Sequence, residues 1–496
     1  MTLTVAIPRS SKDVRILPCL LALFAMSNFY FGLHFLDDAF IHLRYAESLA
    51  TTGVIQYNPG QPGYGTSSPL FVYVLAALVR VGIDSIWITK VVSVLLHLVL
   101  VLQFFKITQG ASGRVKHLML AVTMLLAMPM SARWMANGME TSMVAVLAVC
   151  LGQLLLRGSA QAGCILTWCV AYLLACVARP EFFPIAMVAA LILVIERRGR
   201  ERLYPLAGLI LGVGLALTQY MWVFGHVTPD TAIAKSAGFS LIRGLTTFPQ
   251  STLSTVFALI SSSTLGIAMA LILALGTHGA YARGPVRAKL IVALLAFLGL
   301  IFMIAARGQA IQGVRYFVFI VFFIAPLAAW HDTTLDASEH PPNRSTSAHD
   351  TRPNRRLTAL VFAVFLLDGV LCWPIVEGRS QTTLKFIHQP FADASNRPCV
   401  GYDIGYFSYF SGCRIHDMAG LVNGREAAML SPQQRLQSLK GIPFQLAFLN
   451  DAQLLDLEKA GVLNRNQYQV IERFEFPNIN NWVDGKRDTH YLMKVK

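Results

Sequence analysis

The chain has 496 residues, 55% of them hydrophobic and only 14% charged, with a mean hydropathy of +0.53. That composition excludes a soluble protein with an ordinary polar surface, so lipid is expected to cover most of it. The net charge of +14 comes from basic residues gathered in short loops between apolar runs, a pattern that encodes orientation in a bilayer rather than affinity for nucleic acid.

In chain order, the first apolar stretch is 15–35. It is nearly membrane-length and is followed by Asp37 and Asp38, not by small residues suited to peptidase cleavage, so it is expected to stay as an anchor. Further spans are expected at 87–105, 117–130, 139–156, 164–178, 182–195, 203–224, 255–275, 289–305, 314–330 and 357–374. That gives about eleven, several short enough to need tilted or buried neighbours.

One more apolar run, 69–83, is decided by charge parity. If it lies on the outer surface, the inside receives Arg9, Lys12 and Arg15, then Lys106, Arg114, Lys116 and Arg157. The cluster Arg197, Arg198, Arg200 and Arg202 follows, then Arg283, Arg287 and Lys289, and last Arg344, Arg352, Arg355 and Arg356. The outer connections keep mainly Arg133, Arg179, Arg307 and Arg315. Counting 69–83 as a span would turn the 197–202 cluster outward, so a flat or re-entrant helix on the outer face is predicted.

The segment 331–356, rich in Pro, Ser, Thr, Asn and His, reads as a cytoplasmic linker, and its His331, His340 and His349 lack ligand spacing. No cysteine or histidine cluster suggests zinc and no glycine loop suggests a nucleotide, so neither metal nor cofactor is expected. From 377 to 496 the composition turns globular. Apolar runs at 444–449 and 468–471 and a helical pattern at 452–460 predict a small outer α/β domain with a modest core of its own. The expected organisation is a transmembrane domain over 1–376, with its first outer loop at 36–86, and an outer domain over 377–496. Six cysteines fall in apolar runs. Cys399 and Cys413 lie in the outer domain, either bridged, which is worth about 3 kcal/mol in the loop-entropy model, or buried as free thiols.

The most informative residues are Asp37 and Asp38, an acidic pair at the membrane boundary, suited to taking a proton from a hydroxyl that attacks a lipid-borne donor. After them an amphipathic helix is predicted, with Arg44, Glu47, Ser48 and Thr51 on one face and Ile41, Tyr45 and Leu49 on the other, resting on the membrane surface. Capping of that helix accounts for one Asp but not for two. The stretch 57–70 is rich in glycine and proline and is expected to form a shaped wall over a membrane-facing cavity, without regular secondary structure.

The chain resembles the polyprenyl-phosphate-sugar-dependent glycosyltransferases of the GT-C superfamily, and within it the branch similar to mycobacterial terminal arabinofuranosyltransferases. The resemblance is carried by Leu36-Asp37-Asp38-Ala39-Phe40-Ile41 with Arg44-Tyr45-Ala46, by Tyr57-Asn58-Pro59-Gly60, and by Gly65-Thr66-Ser67-Ser68-Pro69-Leu70. Farther on it rests on Asn137-Gly138-Met139-Glu140-Thr141, Arg179-Pro180-Glu181, Thr228-Pro229-Asp230-Thr231 with Ala234-Lys235, Arg315-Tyr316, and Asp403-Ile404-Gly405-Tyr406-Phe407-Ser408. It implies an all-α polytopic GT-C-like membrane fold with surface helices in the first outer loop, plus a C-terminal α/β periplasmic domain. It also implies a bacterial inner-membrane location and transfer of a sugar from a polyprenyl-phosphate donor to an acceptor hydroxyl, with inversion and with one of Asp37 and Asp38 as general base. Asp37 is favoured, with Asp38 holding the acceptor or its neighbour. The sugar is a pentofuranose such as arabinofuranose or another residue, and the acceptor is an envelope glycan, glycolipid or protein; the residues do not choose.

A phosphate monoester leaves readily, so such a site needs a base and cations. Outer-facing Arg133, Arg179, Lys235, Arg307 and Arg315 are candidates to grip donor phosphate, about half of them structural, with Lys235 and Arg315 preferred. Glu140 and Glu181 are expected to support the site by pairing with Arg133 and Arg179, and Asp230 stands where relatives more often carry Asn. Phe29, Tyr30 and Phe31 read as an interfacial belt, and the aromatic run 402–410 as sugar platform or domain core. Other classes are a multi-span transporter or lipid-carrier flippase, disfavoured by the boundary position of the acidic pair and the lack of internal repeats, and a non-catalytic assembly subunit.

Overall fold

A computed structural model describes residues 11–83, 85–111, 113–156, 165–196, 199–236, 245–246, 249, 263–282, 314–329, 355–389, 391, 395–476 and 488–496. Helix α1 (Ser11–Tyr30) leads to α2 (Asp37–Thr52), a short hairpin of β1 (Gln56–Asn58) and β2 (Gln61–Pro62), and then α3 (Pro69–Arg80) and α4 (Ser85–Gly110). The helical part continues with α5 (Gly113–Leu126), α6 (Pro129–Met135), α7 (Thr141–Leu156), α8 (Ile165–Ala178), α9 (Phe182–Glu196), α10 (Leu203–Phe224) and α11 (Asp230–Ser236). It closes with α12 (Ser263–Ala282), α13 (Val314–Ile324) and α14 (Arg355–His388). The C-terminal part runs β3 (Pro398–Gly401), α15 (Gly405–Ser411), β4 (Arg414–Asp417), α16 (Arg425–Met429), α17 (Pro432–Ser438), β5 (Leu446–Asn450), α18 (Asp451–Lys459), β6 (Tyr468–Phe476) and β7 (Asp488–Val495).

The chain is mostly helical, with a small mixed sheet. Among the described residues three helices, Ile86–Gly110, Leu203–Phe224 and Thr264–Tyr281, are long and apolar enough to cross a membrane, and five if each of two bent pairs counts as one span. The eleven expected spans are therefore not recovered. Over the described residues the expected spans 139–156, 164–178 and 182–195 form apolar helices of 10–17 residues, and 289–305 lies outside the described residues, as does 331–354 of the expected linker.

The bends have identifiable causes. The expected span 117–130 breaks after Leu126, and α6 departs at 65°. Pro129 opens α6, and the Met130 amide donates to Asp368 Oδ2 at 2.7 Å, so the interrupted backbone finds a partner from a distant helix. Pro374 lies inside α14, which bends by 43° and runs on to His388, so the expected domain boundary at 376/377 falls within one helix. On α10, a β-carbon at Gly208 or Gly212 would strike Trp168, Cys169 or Tyr172 of α8; glycines one turn apart let these helices meet at backbone distance.

The sheet order is β4-β3-β5-β7-β6, with β3 parallel to β4 and β5, and β7 antiparallel to β5 and β6. Alternation along the strands divides its side chains between two cores. Val400, Ala447, Leu449 and Met493 pack with Leu439, Leu457 and Leu463 of the surrounding helices and loops. Cys399, Phe448 and Leu492 face the other way, onto Phe40, Tyr45, Tyr406, Phe407 and Phe386. The expectation of a separate core thus holds for one face only, since the other is completed by α2 and α14. Phe40 lies 4.5 Å from Tyr406 and Phe386 lies 4.5 Å from Phe474 between ring centroids, contacts worth about 0.5–1.5 kcal/mol each beyond their buried area.

Candidate active site

Helix α2 is not a surface helix. Ala39, Phe40, Ile41, His42, Leu43, Tyr45 and Ala46 are all buried, because α3 covers one side and the sheet domain covers the other. The expected apolar face of Ile41, Tyr45 and Leu49 is inward, and the Tyr45 hydroxyl accepts the Gly65 amide at 3.1 Å. On the expected polar face, Arg44 ties α2 and β1 to the C-terminal part. Its guanidinium donates to the carbonyls of Tyr57 (2.8 Å), Ser408 and Cys413 (2.7 Å) and lies 4.7 Å from the Tyr57 ring centroid. Glu47 accepts the Tyr409 hydroxyl at 2.6 Å, while Ser48 and Thr51 bond to nearby backbone of their own segment.

The acidic pair opens α2, and neither Asp side chain caps that helix, whose N-cap is Leu36. Asp37 instead caps α15, more than 360 residues away: Oδ2 accepts the Gly405 amide and Oδ1 the Tyr406 amide, each at 2.8 Å. Gly405 permits this approach, since a β-carbon there would overlap the Asp37 backbone carbonyl. Burial, with Asp403 and Asp38 adding like charge, pushes the Asp37 carboxyl up to about 7, and the two amide bonds only partly oppose the rise. Asp38 is half-buried at the next position, and Asp403 pairs with His490 Nε2 at 2.8 Å.

A second cluster reaches α2 through His42. Arg179 donates from Nη1 to Glu140 Oε1 (2.6 Å), from Nη2 to Glu181 Oε1 (2.9 Å) and from Nε to Glu181 Oε2 (3.2 Å). His42 Nε2 stands 3.1 Å from Glu140 Oε2, and its Nδ1 stands 3.0 Å from Thr66 Oγ1. His42 thus stands between Thr66, with which Nδ1 shares a hydrogen bond, and Glu140, which its Nε2 contacts closely. Glu140 and Glu181 thus both pair with Arg179, and Glu140 meets His42 rather than Arg133. The guanidinium of Arg179, expected to grip donor phosphate, is turned onto two carboxylates. Arg133 is half-buried, its Nη1 3.5 Å from Met130 Sδ and its guanidinium 5.1 Å from the Trp134 ring centroid. Lys235 and Arg315 fall on α11 and α13, but their side chains, and all of Arg307, lie outside the described residues.

The glycine-rich stretch carries more order than its composition suggested, with the hairpin β1-β2 inside it. Asp230 pins its end: the Tyr64 amide donates to Asp230 Oδ2 (2.9 Å) and the Asp230 amide to the Tyr64 carbonyl (2.8 Å). Burial raises the Asp230 carboxyl above its ordinary range. Tyr64 stacks on Phe224 at 4.0 Å, and a β-carbon at Gly65 would overlap the Tyr45 hydroxyl. The aromatic run resolves mainly as core, with Tyr406 and Phe407 fully buried and Tyr402 exposed. Of the expected belt, Phe29 is exposed, Phe31 is buried, and Tyr30 donates to the Gly369 carbonyl at 2.9 Å. Cys399 and Cys413 are buried free thiols.

Sequence reasoning passed over His42 and Thr66, since a lone His on an apolar face reads as core. Gly405 and Asp403 lay inside a quoted block without an assigned role. No protein-family model matches the chain, and no curated protein compared with it is similar to it.

Proposed function

We propose that this chain is a glycosyltransferase of the bacterial inner membrane, GT-C-like, transferring a sugar from a polyprenyl-phosphate carrier to an acceptor hydroxyl on the periplasmic side. The observation that carries the reading is Asp37, a carboxyl oriented by two backbone amides and raised to about 7 by burial and neighbouring carboxylates. A base with that affinity is ionised in useful amount near neutral pH and still holds a proton well. The acceptor oxygen bonds to the anomeric carbon, the bond from that carbon to the phosphate oxygen breaks, its electron pair leaves with the phosphate, and the hydroxyl proton passes to Asp37. Asp38 orients the acceptor, while Glu140, Arg179 and Glu181 brace α2 from below.

The second reading, a transporter or lipid-carrier flippase, draws on the broken pair α5 and α6, since discontinuous helices are common in transporters. Purified protein in detergent, given synthetic prenyl-phosphate sugars and a panel of acceptors, separates the two. Transfer product found by mass spectrometry without any gradient supports the enzyme. Unchanged turnover in both Asp37→Asn and Asp38→Asn removes the base.

A further inference from the structure

Segments 396–401 and 412–417 lie side by side in the C-terminal part. The Asn396 amide donates to the Gly412 carbonyl (3.0 Å) and the Arg414 amide to the Arg397 carbonyl (2.9 Å). From there β3 and β4 pair in parallel, with Pro398 opposite Arg414 and Cys399 opposite Ile415. Extended by one residue, that register sets Cys413 opposite Arg397, so Cys399 and Cys413 are diagonal neighbours whose side chains share one face. Both are fully buried, in the core that also holds Phe40, Tyr406 and Phe407. Cys399 Sγ reaches the Arg397 carbonyl at 3.5 Å, the same oxygen that accepts the amide following Cys413. Its sulfur is therefore turned toward Cys413.

Each thiol acts on the other. Cys399 is pushed above its ordinary value, first by its hydrogen bond with Cys413 and then by burial. Burial would raise Cys413 too, but the bonds with Cys399 and Ser411 and the charge of Arg44 outweigh it, and Cys413 falls below its ordinary value. Of the pair, Cys413 is the readier nucleophile.

The loop between them carries contacts to the acidic pair. It contains Asp403 and all of α15, whose Gly405 and Tyr406 amides hold Asp37. Its Ser408 carbonyl, and the carbonyl of Cys413 itself at 2.7 Å, accept from Arg44 of α2. A link between the two sulfurs would close that loop at its base.

We infer that Cys399 and Cys413 are a modification site, a dithiol that closes to a disulfide and clamps the loop bearing α15 against α2. The oxidant is a second disulfide, small or carried by a protein. Cys413 gives its proton to water, its sulfur attacks one sulfur of that disulfide, and the other sulfur leaves as a thiolate. Cys399 then loses its proton and attacks the Cys413 sulfur, and the remaining half of the oxidant leaves as a second thiolate. Two thiols are oxidised and one disulfide is reduced. Buried sulfurs are closed to exchange in the folded chain, so the bridge forms while the chain folds.

The test synthesises the full chain into lipid vesicles with either oxidised or reduced glutathione, then denatures, alkylates and digests it with trypsin. The tryptic segment ending at Arg414 holds Cys399 and Cys413 and no other cysteine. With oxidised glutathione that segment is expected to be lighter by two hydrogen atoms and to take no alkyl group; with reduced glutathione each cysteine takes one. Amide exchange at Gly405 and Tyr406 is expected to slow about tenfold or more in the bridged chain, and Cys413→Ser to abolish the difference. Cys399→Ala serves if that variant does not fold. Alkylation of both cysteines in chain made with oxidised glutathione, or glutathione retained on Cys413, overturns the bridge. Equal exchange at the two amides in both redox states overturns its hold on α15. Mass and amide exchange do not depend on transfer, so the bridge and the transferase reading stand or fall separately.

Discussion

Two groups of carboxylates lie on either side of α2, and they are neutralised differently. Glu140 and Glu181 share the guanidinium of Arg179, so a fixed cation stands between the two carboxylates. Among the described residues the Asp37 carboxylate accepts hydrogen bonds from backbone amides, with Asp38 and Asp403 adding like charge. The first arrangement makes a brace, the second a carboxyl that exchanges protons near neutrality. The partner distinguishes them.

The sharpest way to break that contrast is Asp37→Asn, which should lower transfer by about a hundredfold to ten-thousandfold, the usual worth of a positioned base. A variant with near-wild-type kcat/KM would place Asp37 with the braces. Arg179→Met attacks the brace by removing the guanidinium that joins buried Glu140 to Glu181. A loss of about 3–5 kcal/mol in unfolding free energy is expected, visible as a much lower melting temperature, and a melting curve like wild type would show that the brace bears no strain. Gly405→Ala wedges a methyl against Asp37 and should cost about 1–3 kcal/mol while loosening α15 from α2, checked by thermal melting and limited proteolysis.

The pH dependence separates the two roles of Asp37. Its folded carboxyl binds a proton more tightly than the unfolded one, so its contribution to stability is full below about pH 4 and is lost as pH rises through about 7. Transfer needs the ionised form, so kcat/KM should climb over the same upper range. Opposite slopes in melting temperature and in rate, both absent from Asp37→Asn, are the signature, and parallel slopes would contradict it. The smallest effect belongs to Asp403→Asn, which removes one like charge and should move the rate inflection toward acid.

Several elements were legible in the sequence because their signals are local. The strand and helix patterns at 444–449, 452–460 and 468–471 reappear in β5, α18 and β6, since alternation and helical periodicity are properties of a short window. The same locality misled elsewhere. A glycine-rich stretch gave no sign of a hairpin held by Asn58, whose side chain bonds both ways to Ile415 at 2.9 Å. About eleven apolar runs were counted as spans, and three to five helices among the described residues are long and apolar enough to cross a bilayer, because hydropathy reports burial without saying whether lipid or protein does the burying.

The sequence by itself determined that this is a helical chain suited to a membrane, that a small sheet follows the helices, and that an acidic pair opens the second helix. Composition and periodicity suffice for those statements. Only the tertiary structure decided which charges are spent on one another. It turned Arg179 onto two glutamates, set Arg44 as a bolt into the sheet domain, and delivered the Gly405 and Tyr406 amides to Asp37. A side chain's chemistry depends on its neighbours within a few ångströms, and those neighbours come from segments hundreds of residues apart.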